Sequence, residues 1–236
     1  MVIGHWSLVI GHWSLVIGHW SLVIGHWSME KVAIISDIHG NLPGLQAAMA
    51  DIEACGCNQI VCLGDLVDGG DYNSEVVQVI RDNHITCVRG NHDEYNDLNL
   101  PNDIQYFLDT LPIEIVELDV VYTHVSPRIK KHKIDHPVEA WNVFDETNYR
   151  LCFVGHVHLP LIFGERCDEF GSSTAYDFDY EQPLYLDDQD RYVISVGSLG
   201  YGRDIVPKLR YAIYNKTENS IEFRAVEGEI LSFQRM

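Results

Sequence analysis

Five apolar segments of this chain each end in residue types that commonly bind metal ions. The five motifs are Asp37-Ile38-His39, Gly64-Asp65, Gly90-Asn91-His92-Asp93, His124 and Gly155-His156-Val157-His158. Carboxylate, amide-oxygen and imidazole ligands together suit borderline transition-metal ions better than Ca²⁺. Two carboxylates, one amide oxygen and four imidazoles make seven ligands, with His92 left over. Seven are more than one such ion needs, so they divide between two ions that share one carboxylate. We therefore expect one metal site at the edge of a sheet.

The first part of the chain alternates between strand and helix patterns. Strands are predicted at 31–36, 59–63 and 85–89, and helices at 45–52 and 74–81, where Ser74 is expected to cap the second helix. This alternation predicts parallel strands joined by right-handed crossovers. The carboxyl ends of such strands share one edge of the sheet, where ligands bind. The first three motifs should therefore meet there.

The second half of the chain is rich in strand patterns. Helices are predicted at 102–110 and near Trp141, and strands at 113–118, 120–123, 151–154, 161–163, 192–196, 210–214 and 221–225. The acidic, aromatic segment 165–190 is predicted to be an exposed hairpin or excursion. A strand-rich half after a βαβ half predicts an α/β protein, a four-layer α/β/β/α sandwich of two mixed sheets flanked by helices.

Residues 1–28 repeat the heptapeptide Val-Ile-Gly-His-Trp-Ser-Leu and are predicted to lie outside the fold, which leaves 29–236 as one domain. The DNA heptamer GTCATTG, repeated and read in triplets, encodes this peptide, so we expect a translated nucleotide repeat ahead of a start at Met29. A histidine metal array or a coiled coil is the alternative, but a Gly in every heptad disfavours a helix. The repeat also lacks the features of a secretory signal or a membrane span. Intact-mass analysis of protein made from the native gene tests this, and a mass that includes residues 1–28 would contradict it.

The charge balance restricts the partners that this chain can have. Lys and Arg total 16 against 35 Asp and Glu, a net charge of −19. Such a surface repels nucleic acid polymers and anionic membranes, so neither is an expected partner. The six cysteines are scattered and no export signal is evident, so we expect reduced thiols and a cytoplasmic location. Nothing in the sequence requires an oligomer, although the late strands could form one.

The complete motif set resembles that of the calcineurin-like metallophosphoesterases. Ser36-Asp37-Ile38-His39-Gly40-Asn41 and Val196-Gly197-Ser198 resemble the small bacterial branch related to dinucleotide tetraphosphatases and protein phosphatases. The resemblance implies that Asp37, His39 and His158 hold one ion, that Asn91, His124 and His156 hold the other, and that Asp65 bridges them. The ions would be divalent or trivalent Mn, Fe, Zn, Co or Ni, with Mn favoured, roughly 3.5–4 Å apart. They would generate a hydroxide for in-line attack on phosphorus.

The same resemblance assigns the catalytic role to the third motif. His92 matches the general acid of the family, and Asp93 is expected to orient it. Asn41, Arg128 and Arg203 are candidate substrate-binding residues. For Arg128, which begins a basic run, a solvated loop is an equally good interpretation. Family members often have Tyr or Arg where Gly69 stands, so this chain lacks one potential substrate contact.

These expectations converge on dinuclear-metal-dependent hydrolysis of phosphate esters. The first hypothesis is a phosphodiesterase that acts on small nucleotides. A protein Ser/Thr phosphatase or a dinucleotide polyphosphate hydrolase comes next. A non-catalytic scaffold with this fold is the alternative from another class. Such a scaffold should lack metal ligands or the catalytic His, whereas all of them are present here.

Overall fold

Two six-stranded mixed sheets form the centre of the computed structural model, which describes residues 30–232. The described residues from Lys31 onward form one compact unit. The heptapeptide repeat lies outside the described residues, so its origin stays a prediction.

The first sheet has the order β3-β2-β1-β11-β12-β9. Its strands are β1 (Lys31–Ile35), β2 (Gln59–Cys62), β3 (Thr86–Cys87), β9 (Pro183–Tyr185), β11 (Leu209–Asn215) and β12 (Ser220–Val226). The pairs β1–β2 and β2–β3 are parallel, as the strand–helix alternation predicts. Strand β11 joins β1 antiparallel, with Lys31 opposite Asn215. The late strands therefore extend the sheet of the first half.

The second sheet has the order β4-β5-β6-β10-β7-β8. Its strands are β4 (Glu114–Glu117), β5 (Val120–Thr123), β6 (Leu151–Val154), β7 (Pro160–Gly164), β8 (Thr174–Ala175) and β10 (Tyr192–Val196). Strands β5, β6 and β10 run parallel, and the other pairs are antiparallel. The acidic segment 165–190 is an excursion that adds one short edge strand to each sheet, since β8 pairs with β7 and β9 with β12.

Five helices surround the sheets among the described residues. They are α1 (Leu42–Ala54), α2 (Asn73–Asp82), α3 (Asn91–Glu94), α4 (Asn102–Thr110) and α5 (Pro137–Glu146). Asn41 caps α1, where its side chain accepts from the N–H of Gly44. The prediction that Ser74 caps α2 is wrong, because the helix already begins at Asn73, with Tyr72 in the cap position.

Three apolar cores define four layers. Strand β1 shows the division, since Ala33 and Ile35 pack with α1, α2 and α4 whereas Val32 and Ile34 pack between the sheets. Helix α5 packs on the outer face of the second sheet, around Phe144. The predicted α/β/β/α sandwich of two mixed sheets is confirmed.

All six cysteines are free, and Cys62, Cys87 and Cys152 are buried. Burial raises the pKa of Cys57 to about 11, so its thiol is protonated at neutral pH. No helix within residues 30–232 has both the length and the apolar character needed to span a membrane.

Candidate metal centre

The five predicted motifs meet where the strand ends of the two sheets adjoin. The first sheet contributes Asp37 and His39 after β1, Asp65 after β2, and Asn91 and His92 after β3, and the second contributes His124 after β5 and His156 and His158 after β6. The site is thus built from both sheets.

Polar contacts join the two sheets at this point. The backbone N–H of His156 donates to Asp37 Oδ2 at 3.0 Å, and His124 Nδ1 lies 2.8 Å from the carbonyl oxygen of Leu63. Gly155 has no room for a Cβ atom, which would collide with the side chains of Ser36 and Asp37. The glycine therefore permits the close approach of the strand ends.

Left-handed backbone conformations aim the paired ligands into one space. Asp37 and His39 have φ values of 54° and 52°, and His156 and His158 have 68° and 60°. Such conformations are uncommon for residues other than glycine and cost free energy, and they concentrate at functional sites. They turn each strand end so that both polar side chains of a motif reach the site while Ile38 stays buried.

The first group of potential ligands consists of Asp37, His39 and His158. His158 Nε2 lies 3.1 Å from Asp37 Oδ1, and His39 Nε2 lies 3.9 Å from the same oxygen. All three side chains are buried, and their ligand atoms lie within 4.8 Å of one another. The geometry suits one metal ion.

The second group consists of Asp65, His124 and His156, with Asn91 beside them. Asn91 Oδ1 lies 2.8 Å from His156 Nδ1 and 3.0 Å from His124 Nε2. Asp65 Oδ2 lies 3.1 Å from His124 Nε2. Two oxygens and two ring nitrogens therefore converge on a second position.

Asp65 stands between the two groups. Its Oδ2 atom lies 3.7 Å from His39 Nε2 in the first group and 3.1 Å from His124 Nε2 in the second. This oxygen is buried and makes no hydrogen bond of good geometry within the described residues. Because a buried carboxylate oxygen needs a partner, Asp65 is suited to bridge two cations.

Backbone carbonyls fix the orientation of two of the ring ligands. His39 Nδ1 lies 3.0 Å from the carbonyl oxygen of Asp68, and His124 Nδ1 contacts that of Leu63. Because a carbonyl oxygen only accepts, Nδ1 of each ring donates to it, which leaves Nε2 as the atom that would bind a metal ion. This arrangement is typical of histidine ligands.

The charges of the site call for a cation. Burial alone would raise the pKa of Asp37, but the hydrogen bond with His158 and nearby imidazoles hold it well below its usual range. Burial alone would lower the pKa of His124, but the charge of Asp65 raises it to about 10. The buried carboxylates thus hold positive charge even without metal, and borderline divalent ions fit this set of oxygen and nitrogen donors.

His92 lies beside the ligands without joining either main group. Its Nδ1 atom lies 2.6 Å from Asp68 Oδ2, and its ring centroid lies 4.9 Å from that of His39. The His92 side chain is 40 % exposed. It can therefore meet a substrate directly while Asp68 holds its ring.

A cleft of about 870 Å³ opens over the ligands. Its walls carry two aromatic side chains, Tyr72 and Tyr201, and the apolar Leu98. Lys133 and Arg203 contribute positive charge to the rim. The volume is in the range of sites for small molecules.

Comparison with known proteins identifies the family of this chain. A model of the calcineurin-like phosphoesterase superfamily domain matches residues 30–219. The chain belongs to this superfamily. The phosphoesterase is 34 % identical over 230 residues to the protein MJ0912 of Methanocaldococcus jannaschii, covering 84 % of this chain and 88 % of that one.

Two solved structures extend the comparison. The metallophosphoesterase of Sphaerobacter thermophilus is 28 % identical, with a TM-score of 0.76 and coverage of 86 % of this chain and 90 % of that one. The hypothetical protein PH1004 of Pyrococcus horikoshii OT3 shares the fold at 18 % identity and a TM-score of 0.62, with coverage of 85 % and 89 %. The chain is thus a hydrolase that cleaves phosphoesters with the help of metal ions.

The superfamily uses divalent metals in a dinuclear site, and the residues of this phosphoesterase fit that requirement. Asp37, His39 and His158 would hold one ion, and Asn91, His124 and His156 the other, with Asp65 shared. Two such ions supply Lewis-acid polarisation of the phosphoryl group and lower the pKa of water.

The predicted role of Asp93 in orienting His92 is wrong. Asp93 is fully buried and accepts from the backbone N–H groups of Gly90, Asp65 and Leu66 at 2.7–2.9 Å. Burial and the neighbouring charge of Asp65 raise the pKa of Asp93 to about 6. Asp93 therefore ties two strand ends together and positions Asp65.

Asp68 orients His92 instead, a role that the sequence motifs did not indicate. Asp68 lies three residues after Asp65 in the sequence, and its φ of 71° turns the chain at the strand end. That spacing was the available signal. The contact between Asp68 and His92 required the three-dimensional arrangement of β2 and β3.

The three candidate substrate-binding residues make different contacts in the structure. Asn41 lines the cleft but uses its amide to donate to the carbonyls of Leu199 and Glu229, both at 2.7 Å. Its oxygen caps α1, so Asn41 holds the fold together rather than meeting substrate.

Arg128 and Arg203 have different positions. Arg128 is 10 % exposed and forms ion pairs with two glutamates of α5, Glu139 at 2.8 Å and Glu146 at 2.7 Å. It does not line the cleft, so the structure does not bring Arg128 to the site. Arg203 does line the cleft and remains a candidate.

Proposed function

We propose that this phosphoesterase is a manganese-dependent phosphodiesterase that acts on small nucleotides. The observation that carries the proposal is the placement of His92 and its Asp68 partner beside two groups of ligands that share Asp65. The chain provides metal ligands, a proton donor and a cleft at one place.

The cleft supports a small substrate. Its volume of about 870 Å³ is in the range of sites for small molecules and is large enough for a nucleotide. Tyr72, Tyr201 and Leu98 offer aromatic and apolar surface against which a nucleobase can stack. The substrate's phosphate would lie over the metal ligands at the floor of the cleft.

The charges of the cleft support a substrate with few negative charges. Its positively charged side chains, among the described residues, are Lys133 and Arg203, and Lys133 Nζ already lies 2.5 Å from Asp135 Oδ2. Asp71 and Glu229 add negative charge to the walls. A diester carries one negative charge at its phosphate, so it suits this cleft better than a polyphosphate chain.

His92 would serve the leaving group. Held by Asp68, its ring can donate a proton to the alkoxide that departs from phosphorus. The carboxylate of Asp68 accepts from Nδ1 of His92 and so orients the ring for this step. Manganese suits the ligands because it accepts carboxylate, amide oxygen and imidazole together.

Hydrolysis of two model substrates tests the proposal. Metal-stripped full-length protein would be titrated with Mn²⁺ and assayed with bis-p-nitrophenyl phosphate, a diester, and p-nitrophenyl phosphate, a monoester. We expect hydrolysis that EDTA abolishes, with the larger kcat/KM on the diester. Cyclic and linear nucleotides would then be compared as natural candidates.

The other hypotheses correspond to other outcomes of this assay. A larger kcat/KM on the monoester would contradict the diesterase proposal and favour a protein phosphatase. Faster hydrolysis of a dinucleotide polyphosphate than of any diester would favour a polyphosphate hydrolase. Hydrolysis of neither ester by metal-loaded protein would favour a scaffold.

A further inference from the structure

Gly69 leaves a space in the cleft that another part of the chain fills. A Cβ atom at position 69 would lie 2.7 Å from the hydroxyl oxygen of Tyr201 and 2.8 Å from Cβ of His39. The phenol of Tyr201 therefore occupies the place that a side chain at position 69 would take. That place adjoins Asp68, the partner of His92.

The ring of Tyr201 packs against the ligands of the first group. Its centroid lies 5.2 Å from that of His39, edge to face, and 5.9 Å from that of His158, stacked at 18°. His92 approaches the ring of His39 as well, at 4.9 Å. Tyr201 and His92 thus both lie next to the first group of ligands, and both line the cleft.

Hydrogen bonds hold residues 198–201 against Asp37, one of the proposed metal ligands. Ser198 Oγ donates to the carbonyl oxygen of Asp37 at 2.9 Å and accepts from the backbone N–H of Tyr201 at 2.9 Å. The N–H of Gly200 also donates to the carbonyl of Asp37, at 2.8 Å. The position of Tyr201 is therefore set by the same residue that would hold the metal.

The residues that follow Tyr201 in the chain are held in place as well. Arg210 is buried and pairs with Asp204, with 2.7 Å between Nε and Oδ2. Arg210 also lies over the ring of Tyr180, at 4.3 Å from its centroid. The segment that presents Tyr201 is thus fixed at both ends, as a substrate-positioning residue requires.

We propose that Tyr201 positions the phosphoryl group of the substrate beside the first group of ligands, and that its neutral hydroxyl favours diesters over monoesters. The proposal rests on the phosphodiesterase function proposed above. The hydroxyl can donate a hydrogen bond to a non-bridging phosphoryl oxygen. It adds no positive charge, so the second negative charge of a monoester gains no compensation there.

Two substitutions of Tyr201 and one control test this role. Tyr201→Phe removes the hydroxyl and keeps the ring against His39 and His158. Tyr106→Phe, the control, removes the same group from a tyrosine on α4 that is 71 % exposed and does not line the cleft. Tyr201→Arg replaces the neutral group with a cation. For each variant, calorimetry would measure Mn²⁺ binding, and steady-state assays would measure kcat/KM on both model esters.

We expect Tyr201→Phe to lower kcat/KM on the diester by about 10- to 100-fold, the effect of one hydrogen bond to a charged group, with unchanged Mn²⁺ stoichiometry. Tyr106→Phe should stay within about twofold of wild type. Tyr201→Arg should raise the ratio of monoester to diester kcat/KM at least about tenfold, since a cation there compensates the dianion.

Several outcomes would overturn the proposal. Diester activity of Tyr201→Phe within about twofold of wild type would exclude a contact with the phosphoryl group. If Tyr201→Arg folds and binds Mn²⁺ but has an unchanged ratio of monoester to diester kcat/KM, the selective role is excluded. If that variant does not fold, Tyr201→Gln and Tyr201→Phe still test the contact between the hydroxyl and the phosphoryl group. Wild-type protein that binds Mn²⁺ but hydrolyses neither ester would overturn both proposals, whereas an active wild type with an indifferent Tyr201 would overturn this one alone.

Discussion

The Nδ1 atom of His92 lies 2.6 Å from the Oδ2 carboxylate oxygen of Asp68. This contact joins the turn after β3 to the turn after β2, at the mouth of the cleft. It fixes the plane of the imidazole and leaves Nε2 as the nitrogen that can exchange a proton with a substrate. The pair defines the proton-transfer side of the metal centre.

Asp68→Asn should lower kcat without loss of metal. The amide preserves the shape of the side chain but replaces the carboxylate that accepts from His92 Nδ1. The imidazole is then held less firmly, so we expect a decrease of about 10- to 100-fold. Steady-state kinetics with the diester would measure it, alongside Mn²⁺ binding. Asp71→Asn is the matched control, because it removes a charge from the same cleft and leaves the His92 contact in place. Equal losses in the two variants would contradict a specific role for Asp68.

Asp93→Ala should lower metal affinity, although Asp93 is not itself expected to bind the metal. The substitution leaves the buried N–H groups of Gly90, Asp65 and Leu66 without their carboxylate partner. Because Asp65 then loses its support, we expect the Mn²⁺ dissociation constant to rise about 10- to 100-fold. Calorimetric titration measures this. Unchanged affinity together with reduced kcat at saturating Mn²⁺ would instead restore the sequence-based role for Asp93.

The two arginines singled out by the sequence should respond oppositely to alanine substitution. Arg128→Ala removes the shared partner of Glu139 and Glu146, so the melting temperature should fall while kcat/KM stays within about twofold. Arg203→Ala should lower kcat/KM by about tenfold, because it removes a cation from the cleft wall. Thermal unfolding and diester kinetics measure both variants. A loss of activity in Arg128→Ala without a change in stability would return this residue to the site.

Asp51 should make the fold sensitive to acid. Its carboxylate on α1 accepts from Arg224 at 2.9 Å and from Tyr211 at 2.7 Å. Burial alone would raise the pKa of Asp51, but these hydrogen bonds outweigh it and hold the pKa below its ordinary value of 3.8. The unfolded chain therefore takes up the proton first on acidification, so this stabilisation is present above about pH 4 and lost below it.

Asp51→Asn should accordingly lower the free energy of unfolding by about 1–3 kcal/mol at neutral pH. The difference from wild type should shrink as the pH falls below about 4. Urea unfolding at several pH values would measure it. A difference that stays constant down to pH 3 would contradict the role of the ionised carboxylate.

The sequence predicted the fold well where local patterns and topology agree. Helix α4 and strands β5, β6 and β10 have the predicted bounds, and the parallel order of β1, β2 and β3 follows from the crossover rule. The grouping of Asp37, His39 and Asp65 followed from the same rule. The pairing of late strands with the first sheet could not be deduced, since long-range strand pairing depends on packing rather than on local sequence.

The side-chain partners were the harder part of the site. Asp93 is adjacent to His92 in sequence, but its buried carboxylate turns toward three backbone N–H groups, and Asp68 reaches His92 from another strand end. Arg128 is close to His124 in the chain but folds back onto α5. Tyr201 is distant in sequence and reaches the site through the hydrogen bonds of Ser198. Adjacency in sequence thus misled, because turns redirect side chains.

The most direct test of the dinuclear mechanism is the dependence of diester hydrolysis on bound manganese. Metal-stripped full-length protein would receive Mn²⁺ in steps, with bound metal counted by mass spectrometry and hydrolysis of bis-p-nitrophenyl phosphate recorded at each step. If Asp65 is shared by two ions, activity should be absent in the stripped protein and reach its plateau as the second equivalent binds. Full activity in metal-free protein, or a plateau at one bound equivalent, would contradict it.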